Sequence, residues 1–548
     1  MRRWFRSGRP WIWLTAGGVT ISLSAMLALV ALLGWQGMGL FWPQPVYQFQ
    51  LRQPGAADGV SAVLLGEIYA TENRRPVSGV RDAGPQAPDT VFYVIRTGGT
   101  DASRDFIRVS AGQVISRRRP PDVLLLQRNF YGKEYGFLQG MTEDGQPLTA
   151  GDMSHALQQR LTLIETQRRL AAGLRTRQQA GLNQRAEQLS RQRQQWLKDG
   201  RWTPLNQAVY RAGQNEIQRQ NDQLNRQLAD IEKEMDRDRL ILRDAAGATR
   251  EVPLREIERA WYPNNMGFAE KVRLWAAQVG RFVSRDNHDY PAQTGVFPAI
   301  VGTLLLVMLM SVMVMPLGVM AAVYLHEYAR DNWLTRLIRI AVGNLAGVPS
   351  IVYGVFGLGF FIYVLGGTLD KLFYAEALPN PTFGTPGLLW AALTLALLTL
   401  PVVIVATEEG LSRIPPALRH GSLALGATRA ETLWRVVLPG AAPAMITGLI
   451  LAVARAAGET APLMLVGVIK SAPALPLDGV FPYLHPERKF MHLGFQIYDM
   501  AFQSPDSDAV RPLVFATALL LMAIVVGLNL AAIALRHRLR EKYRALTL

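Results

Sequence analysis

Six apolar runs, each long enough to cross a bilayer, confine this chain to a membrane fold. A hydrocarbon core of roughly 30 Å asks for about 20 consecutive apolar residues in a helix. The runs occupy 11–34 and, further on, about 296–325, 348–367, 387–406, 441–466 and 512–535. The first follows the basic segment 1–10, which has four arginines and no acid. Its downstream flank, WQGMGLFW, is bulky where a signal peptide needs a small-residue cleavage site, so the run is expected to stay as a first span. Arginine is unevenly placed between the later runs. Arg330, Arg336 and Arg339 lie in 326–342, and Arg413, Arg419, Arg429 and Arg435 in 407–440. Five Arg/Lys follow residue 535, whereas 368–386 has one Lys and no Arg. This bias predicts both termini and the 407–440 loop in the cytoplasm, with 36–294 on the far side. The net charge of +15 then serves largely as topology signal and is not read as a nucleic-acid surface. The chain has no cysteine, which excludes disulfides, thiolate metal sites and Cys nucleophiles.

The far-side region divides in three. From 46 to 127, strand-like runs (VYQFQLR, AVLLGEIYA, TVFYVIRT, DFIRVSAGQVISR, DVLLLQR) are separated by Gly, Pro and Asp, which predicts a β-rich domain. From 153 to 242 two long helices are expected. Ile217, Leu224, Ile231 and Asp238 form one seven-residue series, and Asn221, Leu228, Met235 and Leu242 the other, an a/d seam with one polar position. Leu157, Leu161, Ile164, Leu182, Leu189 and Trp196 supply the facing seam, and 199–204 breaks the pattern. The reading is an antiparallel coiled-coil hairpin, its Arg/Gln surface either a solvated face or a docking arm. Residues 239–262 read as a return to the β domain, and 268–283 as an amphipathic helix leading back to the membrane, within a return segment of 239–285.

The loop at 407–440 is long for an unstructured connection. It reads as two short helices, one from 419 closed by Gly426 and one over 430–437 stopped by Leu438-Pro439-Gly440, together a knob on the cytoplasmic face. Beyond it Arg455 and Glu459 are four apart within an apolar run. Four residues place two side chains on one helix face, and a charge at bilayer depth faces a partner or a pathway. The pair is either an intrahelical salt bridge or a permeation site in which the planar guanidinium holds a tetrahedral oxyanion. Glu327 at a span edge reads as an interfacial contact. His485, His492 and Glu487 lie in a far-side loop, where the expectation is surface side chains and not metal ligands. No G-x-x-x-x-G-K-[ST] occurs, so an ATP site is expected on another chain.

Gly426 and the Val436-x-Leu438-Pro439 that follows it match the coupling motif of ABC importer permeases, with His420-Gly421-Ser422 where that motif has Glu-Ala-Ala. FPAIVGT (297–303), YLHEYA (324–329), NLAGVPSIVYG (344–354) and ARAAGETAPL (454–463) narrow the likeness. Over about 295–543 and the first span the chain resembles the phosphate-specific transport (Pst) permeases, in the PstA-type form. The resemblance implies an α-helical membrane protein with a six-span ABC importer permease core, here joined to the β-rich domain and hairpin, in a bacterial inner membrane. It implies Arg455, Glu459 and Thr460 on the path of inorganic phosphate. It also implies Arg419, His420, Gly421, Ser422, Gly426, Ala427, Val436, Leu438 and Pro439 against an ATPase. The partners it implies are a PstC-like permease, a PstB-like ATPase dimer carrying ATP and Mg²⁺, and a PstS-like phosphate-binding protein. No cofactor or catalytic residue is expected on this chain. Relatives often carry an Arg where Ala406 stands. A permease for sulfate or molybdate, or a membrane-anchored sensor or scaffold working through its coiled coil, are the alternatives. The compact relatives lack 36–290, whose expected contact is a matching insert on the partner permease, ahead of the binding protein or the envelope.

Overall fold

A computed structural model describes residues 9–52, 60–74, 90–98, 106–129, 132–143, 146–147, 153–284, 295–375, 381–472, 474–479, 481, 483–503 and 507–543. Of the expected cytoplasmic termini, 1–8 and 544–548 lie outside them. The described residues fall into two units, Phe41–Arg281 and the rest. Helix α1 (Arg9–Gly39) belongs to the second of these and is apolar on every side, as a lipid-facing span is. Near its end Gly37 lets the backbone approach that of Ala516, which a Cβ would meet at 2.8 Å.

The Phe41–Arg281 unit contains two antiparallel sheets. In the first, β1 (Val46–Arg52), β2 (Val60–Arg74), β3 (Thr90–Arg96), β4 (Phe106–Ser110) and β5 (Val114–Arg118) pair in the order β4-β3-β2-β1-β5. Its buried face gathers Tyr47, Phe49, Ile95 and Val109. β6 (Val123–Arg128) and β7 (Gly132–Glu143) begin the second sheet, and the short β8 (Gln146–Pro147) pairs with β7. The chain then leaves as helices α2 (Met153–Lys198) and α3 (Pro204–Met235). It returns as β9 (Arg239–Arg243), β10 (Thr249–Pro253) and β11 (Ile257–Trp261), giving the order β10-β9-β7-β6-β11. The helical pair is thus an excursion from one sheet. Its root is held there by Leu157, Ile164 and Met235 packed on Leu124, Leu126, Met141 and Leu240. Beside the core, Lys133 is bound by Glu67 at 2.7 Å, and burial holds its ammonium below the usual lysine range.

The helices run antiparallel, as Gln167 to Glu234 (3.1 Å) and Arg185 to Gln220 (2.8 Å) show. Leu182, Leu224 and Leu228 are buried between them. The seven-residue series runs to Leu242 in the sequence, but α3 stops at Met235. Asp238 lies beyond the helix, and Leu242 sits in β9, where the alternation of RLILR buries Leu240 and Leu242 in the sheet core. A second difference is β7, outside the predicted 46–127 strands. Its glycines at 132, 136 and 140 dilute the alternation that marks a strand.

Helix α4 (Phe268–Ser284) precedes the permease helices. These are α5 (Phe297–Tyr328), α6 (Trp333–Leu345), α7 (Ser350–Phe373), α8 (Leu388–Ser412), α9 (Pro416–Ala424) and α10 (Arg429–Gly458). The one-turn α11 (Leu463–Val466), α12 (Leu493–Tyr498, with a wide turn to Gln503) and α13 (Ser507–Tyr543) complete them. Among the described residues, six helices (α1, α5, α7, α8, α10, α13) are long and apolar enough to span a bilayer. α8 lies at the centre. Leu395, Ala396 and Val403 pack on Leu306, Met310 and Val314 of α5, and on Ala452, Val453 and Ala456 of α10. Small residues set the α8–α10 distance, with Gly448 so close to Ala406 that a Cβ would meet its methyl at 2.7 Å. Such close small-residue contacts are how helices pack without a hydrophobic drive from water.

Several helix ends differ from the sequence reading: α7 and α8 run on to Phe373 and Ser412, past 367 and 406, and two further differences have a local cause. Leu438-Pro439-Gly440 does not stop a helix, because α10 runs unbroken from Arg429. A wide π turn at Leu433–Val437 lets the backbone pass Pro439, whose missing N–H breaks an ordinary helical ladder. The fifth span ends at Gly458 instead of 466, and Glu459 turns to extended geometry.

The start of α5 is locked to the segment before α12. Thr303 accepts the Leu493 N–H at 3.0 Å, and a Cβ on Gly302 would overlap the Met491 carbonyl. Overpacking of this kind costs typically 1–3 kcal/mol. Gly302→Ala is therefore expected to lower the thermal unfolding midpoint of the purified protein by several degrees. Gly343→Ala on α6, where a Cβ meets open space, is expected not to lower it. Differential scanning fluorimetry on both variants checks this.

Candidate functional site

The end of α10 is where the motif segments meet. α10 closes at Gly458, Glu459 leaves the helix, and the Thr460 carbonyl accepts the N–H groups of Leu463 (3.1 Å) and Met464 (3.3 Å) to start α11. The result is an interrupted helix, a form of backbone found at membrane depth where it is buried in protein or lines a cavity. Gly354 of α7 lies against the interruption, since a Cβ there would come within 2.7 Å of Pro462 Cα. From the other side Gly494 approaches Thr460 Oγ1, at 2.6 Å from its would-be Cβ. VYG, GETAP and the start of α12 thus close on one another around residues 459–462.

Arg455 lies in the last turn of α10, and its Nε is 3.5 Å from Glu459 Oε1. Their side chains keep 33% and 22% of their exposure, so neither is sealed in this subunit's core. The pair is not the one-face helical pair that spacing alone predicts, because Glu459 is outside the helix. A cation in a last turn is favoured by the negative helix end and an anion is not, so Arg455 offsets the carboxylate at the C-cap. Nearby on α7, the Tyr353 hydroxyl donates to the Leu345 carbonyl at 2.7 Å. The position where relatives often place an Arg is filled by the Ala406–Gly448 contact, two helical turns before Arg455 on α10.

His492 stands beside this cluster and is fully buried, unlike the surface side chain expected from sequence. Its Nδ1 accepts the Gly494 N–H at 3.1 Å, which leaves the proton on Nε2, an atom with no hydrogen-bond partner among the described residues. Burial pushes the imidazole down to about 4. The unfolded chain takes up this proton near pH 6.5 and the folded chain only near pH 4. Stability is therefore lost as pH falls through that window, by roughly 3 kcal/mol. Unfolding midpoints between pH 7 and 4 are expected to fall less steeply in His492→Gln than in the parent. His485 is buried too, between Asp478 (3.1 Å) and Glu487 (3.2 Å), so these two histidines belong to separate environments.

The second group of residues forms an elbow. α9 ends in a Schellman motif, with Ala427 N–H to Ser422 O (3.3 Å), Gly426 N–H to Leu423 O (3.0 Å) and Gly426 at φ +88°. Thr428 then caps α10 in a reciprocal box with Glu431, and Ser422 Oγ meets Thr432 Oγ1 at 2.9 Å. His420 and Gly421 are exposed on α9, while Val436, Leu438 and Pro439 are half-buried in α10. Arg419 faces inward. Its guanidinium is 2.9 Å from Glu327 Oε1 at the end of α5, and Nη2 also donates to the Leu411 carbonyl of α8 at 3.0 Å. The most exposed apolar side chains of the elbow are Leu425 (91%) and Trp434 (71%), which the sequence reading passes over. Leu425, directly before the helix-closing glycine, is a signal that was present.

Residues 314–541 match the family described as binding-protein-dependent transport system inner membrane component. The chain is 37% identical over 243 residues to phosphate transport system permease protein PstA 1 of Mycobacterium tuberculosis (strain H37Rv), covering 44% of this chain and 70% of that protein. It is 32% identical over 197 residues to a probable PstA of Methanocaldococcus jannaschii, covering 35% and 63%. Among solved structures it is similar to the MetNI methionine ABC transporter in an inward-facing form, at 18% identity and TM-score 0.31, over 45% of this chain and 94% of that one. The six apolar helices, the elbow before α10 and the extent of the PstA match together place this chain in the PstA-type family of ABC importer permeases.

Proposed function

We propose that this permease subunit conducts inorganic phosphate into the cell, and the Arg455–Glu459 pair at the interrupted end of α10 carries that reading. A guanidinium presents paired donors to a tetrahedral oxyanion. The neighbouring carboxylate draws on the same guanidinium and keeps anion binding weak enough for release, which conduction requires. A carboxylate accepts hydrogen bonds and cannot donate them. Glu459 therefore favours an anion that keeps a proton at neutral pH, as phosphate does and sulfate does not. The names of the PstA relatives point to the same substrate.

The remaining parts follow the same reading. A PstC-like permease completes the pathway, a PstS-like protein delivers phosphate, and a PstB-like ATPase dimer receives the α9 elbow through His420, Leu425 and Trp434. ATP binding at that dimer supplies the differential affinity that shifts the permease pair between two states. The protein resides in an inner membrane, with Phe41–Arg281 on the outer side. The test is uptake by the reconstituted complex with radiolabelled phosphate, sulfate and molybdate. Phosphate uptake driven by ATP is the expected result. Uptake of sulfate or molybdate without phosphate overturns the substrate, and phosphate uptake unaffected by loss of Arg455 overturns the site.

A further inference from the structure

The α2–α3 hairpin is polarised along its length. Between residues 175 and 219, the half nearer the turn, the sequence carries nine Arg/Lys and three acids. The half nearer the sheet, 153–174 and 220–235, carries five of each. The basic half ends in a built apolar tip. Trp202 in the turn lies 6.4 Å from Trp196 and 5.9 Å from Tyr210, and the Arg193 guanidinium covers both Trp202 and Tyr210. Gly200 at φ +66° and the Thr203 cap with Pro204 at the first helical position fix the turn. Leu205 and Val209, one helical turn apart, and Leu197 on the opposite helix are exposed on this platform, Leu205 by 74%. Lys198, Arg201 and Arg211 are exposed around them.

We propose that this tip docks on a bilayer surface rich in anionic phospholipid. Aromatic rings with a polar edge settle at the headgroup level, aliphatic side chains enter the acyl boundary, and Lys/Arg pair with anionic headgroups. All three components stand together here. The shape also favours lipid over protein. The end of a two-helix hairpin is convex and offers few residues, whereas a stable protein interface takes roughly 20–30 residues a side. A bilayer needs no complementary pocket. The charge excess confined to the distal half is the complement of an anionic surface, and the balanced half near the sheet has no such match.

The experiment uses the full chain, held in nanodiscs of phosphatidylcholine and mixed with separate vesicles. Co-flotation with phosphatidylglycerol-containing vesicles is expected at least about tenfold above that with pure phosphatidylcholine, and is expected to be lost at high salt, since the attraction is screened. The double variant Leu205→Gln/Val209→Gln alters exposed positions and is expected to remove most of the binding while the melting temperature stays unchanged. Equal flotation with both vesicle types, or binding unaffected in the double variant, overturns the proposal. A photo-crosslinker at position 205 in the assembled transporter is expected to label lipid. Labelling only of a second permease or of the binding protein overturns the lipid assignment in favour of a protein dock.

Discussion

Arg455→Gln is expected to lower phosphate uptake by the reconstituted transporter about a hundredfold, with assembly and basal ATP hydrolysis retained. The magnitude follows from charge-assisted hydrogen bonds to a desolvated oxyanion, worth about 1.5–3 kcal/mol each. Glutamine keeps one donor group and loses the charge and the fork. Arg455→Lys is expected to recover part of the rate, because the charge returns without the planar pairing. The neighbouring variant separates permeation from packing. Glu459→Gln relieves an anion at the negative end of α10, so the fold is not expected to suffer. Its amide can donate a hydrogen bond to a fully deprotonated oxyanion, so the preference for phosphate over sulfate is expected to fall about tenfold by this same class of bond. Competition uptake with both anions measures it. A structural salt bridge without a transport role predicts the reverse pattern, in which both variants lose thermal stability and the selectivity stays fixed.

The spans were legible because apolar length is a one-dimensional property, and each run in the sequence overlaps one of the six long apolar helices. Their ends were less so. Pro439 has the local signature of a stop, yet the π turn before it absorbs the missing donor. Gly458, with Arg455 in the last turn and Pro462 beyond, carries a stop signature inside the apolar run, and the helix ends there, where Thr460, Gly354 and Gly494 pack around a turn. RLILR satisfies both a seven-residue seam and a two-residue alternation, and the sheet core at Leu240 and Leu242 decided between them. Helix α6 was readable and unread, since Trp333, Leu337 and Ile340 recur at helical spacing and are exposed in this subunit. The burial of His492 and the approach of Gly302 to Met491 depend on residues nearly two hundred positions apart, and no local pattern announces them.

The contact between Glu327 and Arg419 is of the same long-range kind, spanning 92 positions, and it makes the second large expectation. One guanidinium joins three elements, holding the Glu327 carboxylate of α5 at 2.9 Å, accepting no bond itself, and donating to the Leu411 carbonyl at the end of α8 at 3.0 Å. Its base is α9, so movement of the elbow is passed directly to two spans. Where an Arg in this loop was expected to face the ATPase, it faces its own subunit, and His420 is left on the outer side. Replacing Glu327 with Arg sets two like charges together in a partly buried place. That costs on the order of 2 kcal/mol, once the remaining exposure of both side chains is allowed for. Glu327→Arg and Arg419→Glu are each expected to cut ATP-driven uptake at least about tenfold while ATP hydrolysis continues, the signature of an uncoupled transporter. The double variant restores opposite charges across the α5–α9 contact. It does not restore the donor to Leu411, because a carboxylate cannot give one. Recovery is therefore expected to be partial, and larger than either single variant. If instead Arg419 acts only by touching the ATPase, the double variant remains as uncoupled as Arg419→Glu alone, and the comparison of uptake per ATP hydrolysed across the four proteins distinguishes the two.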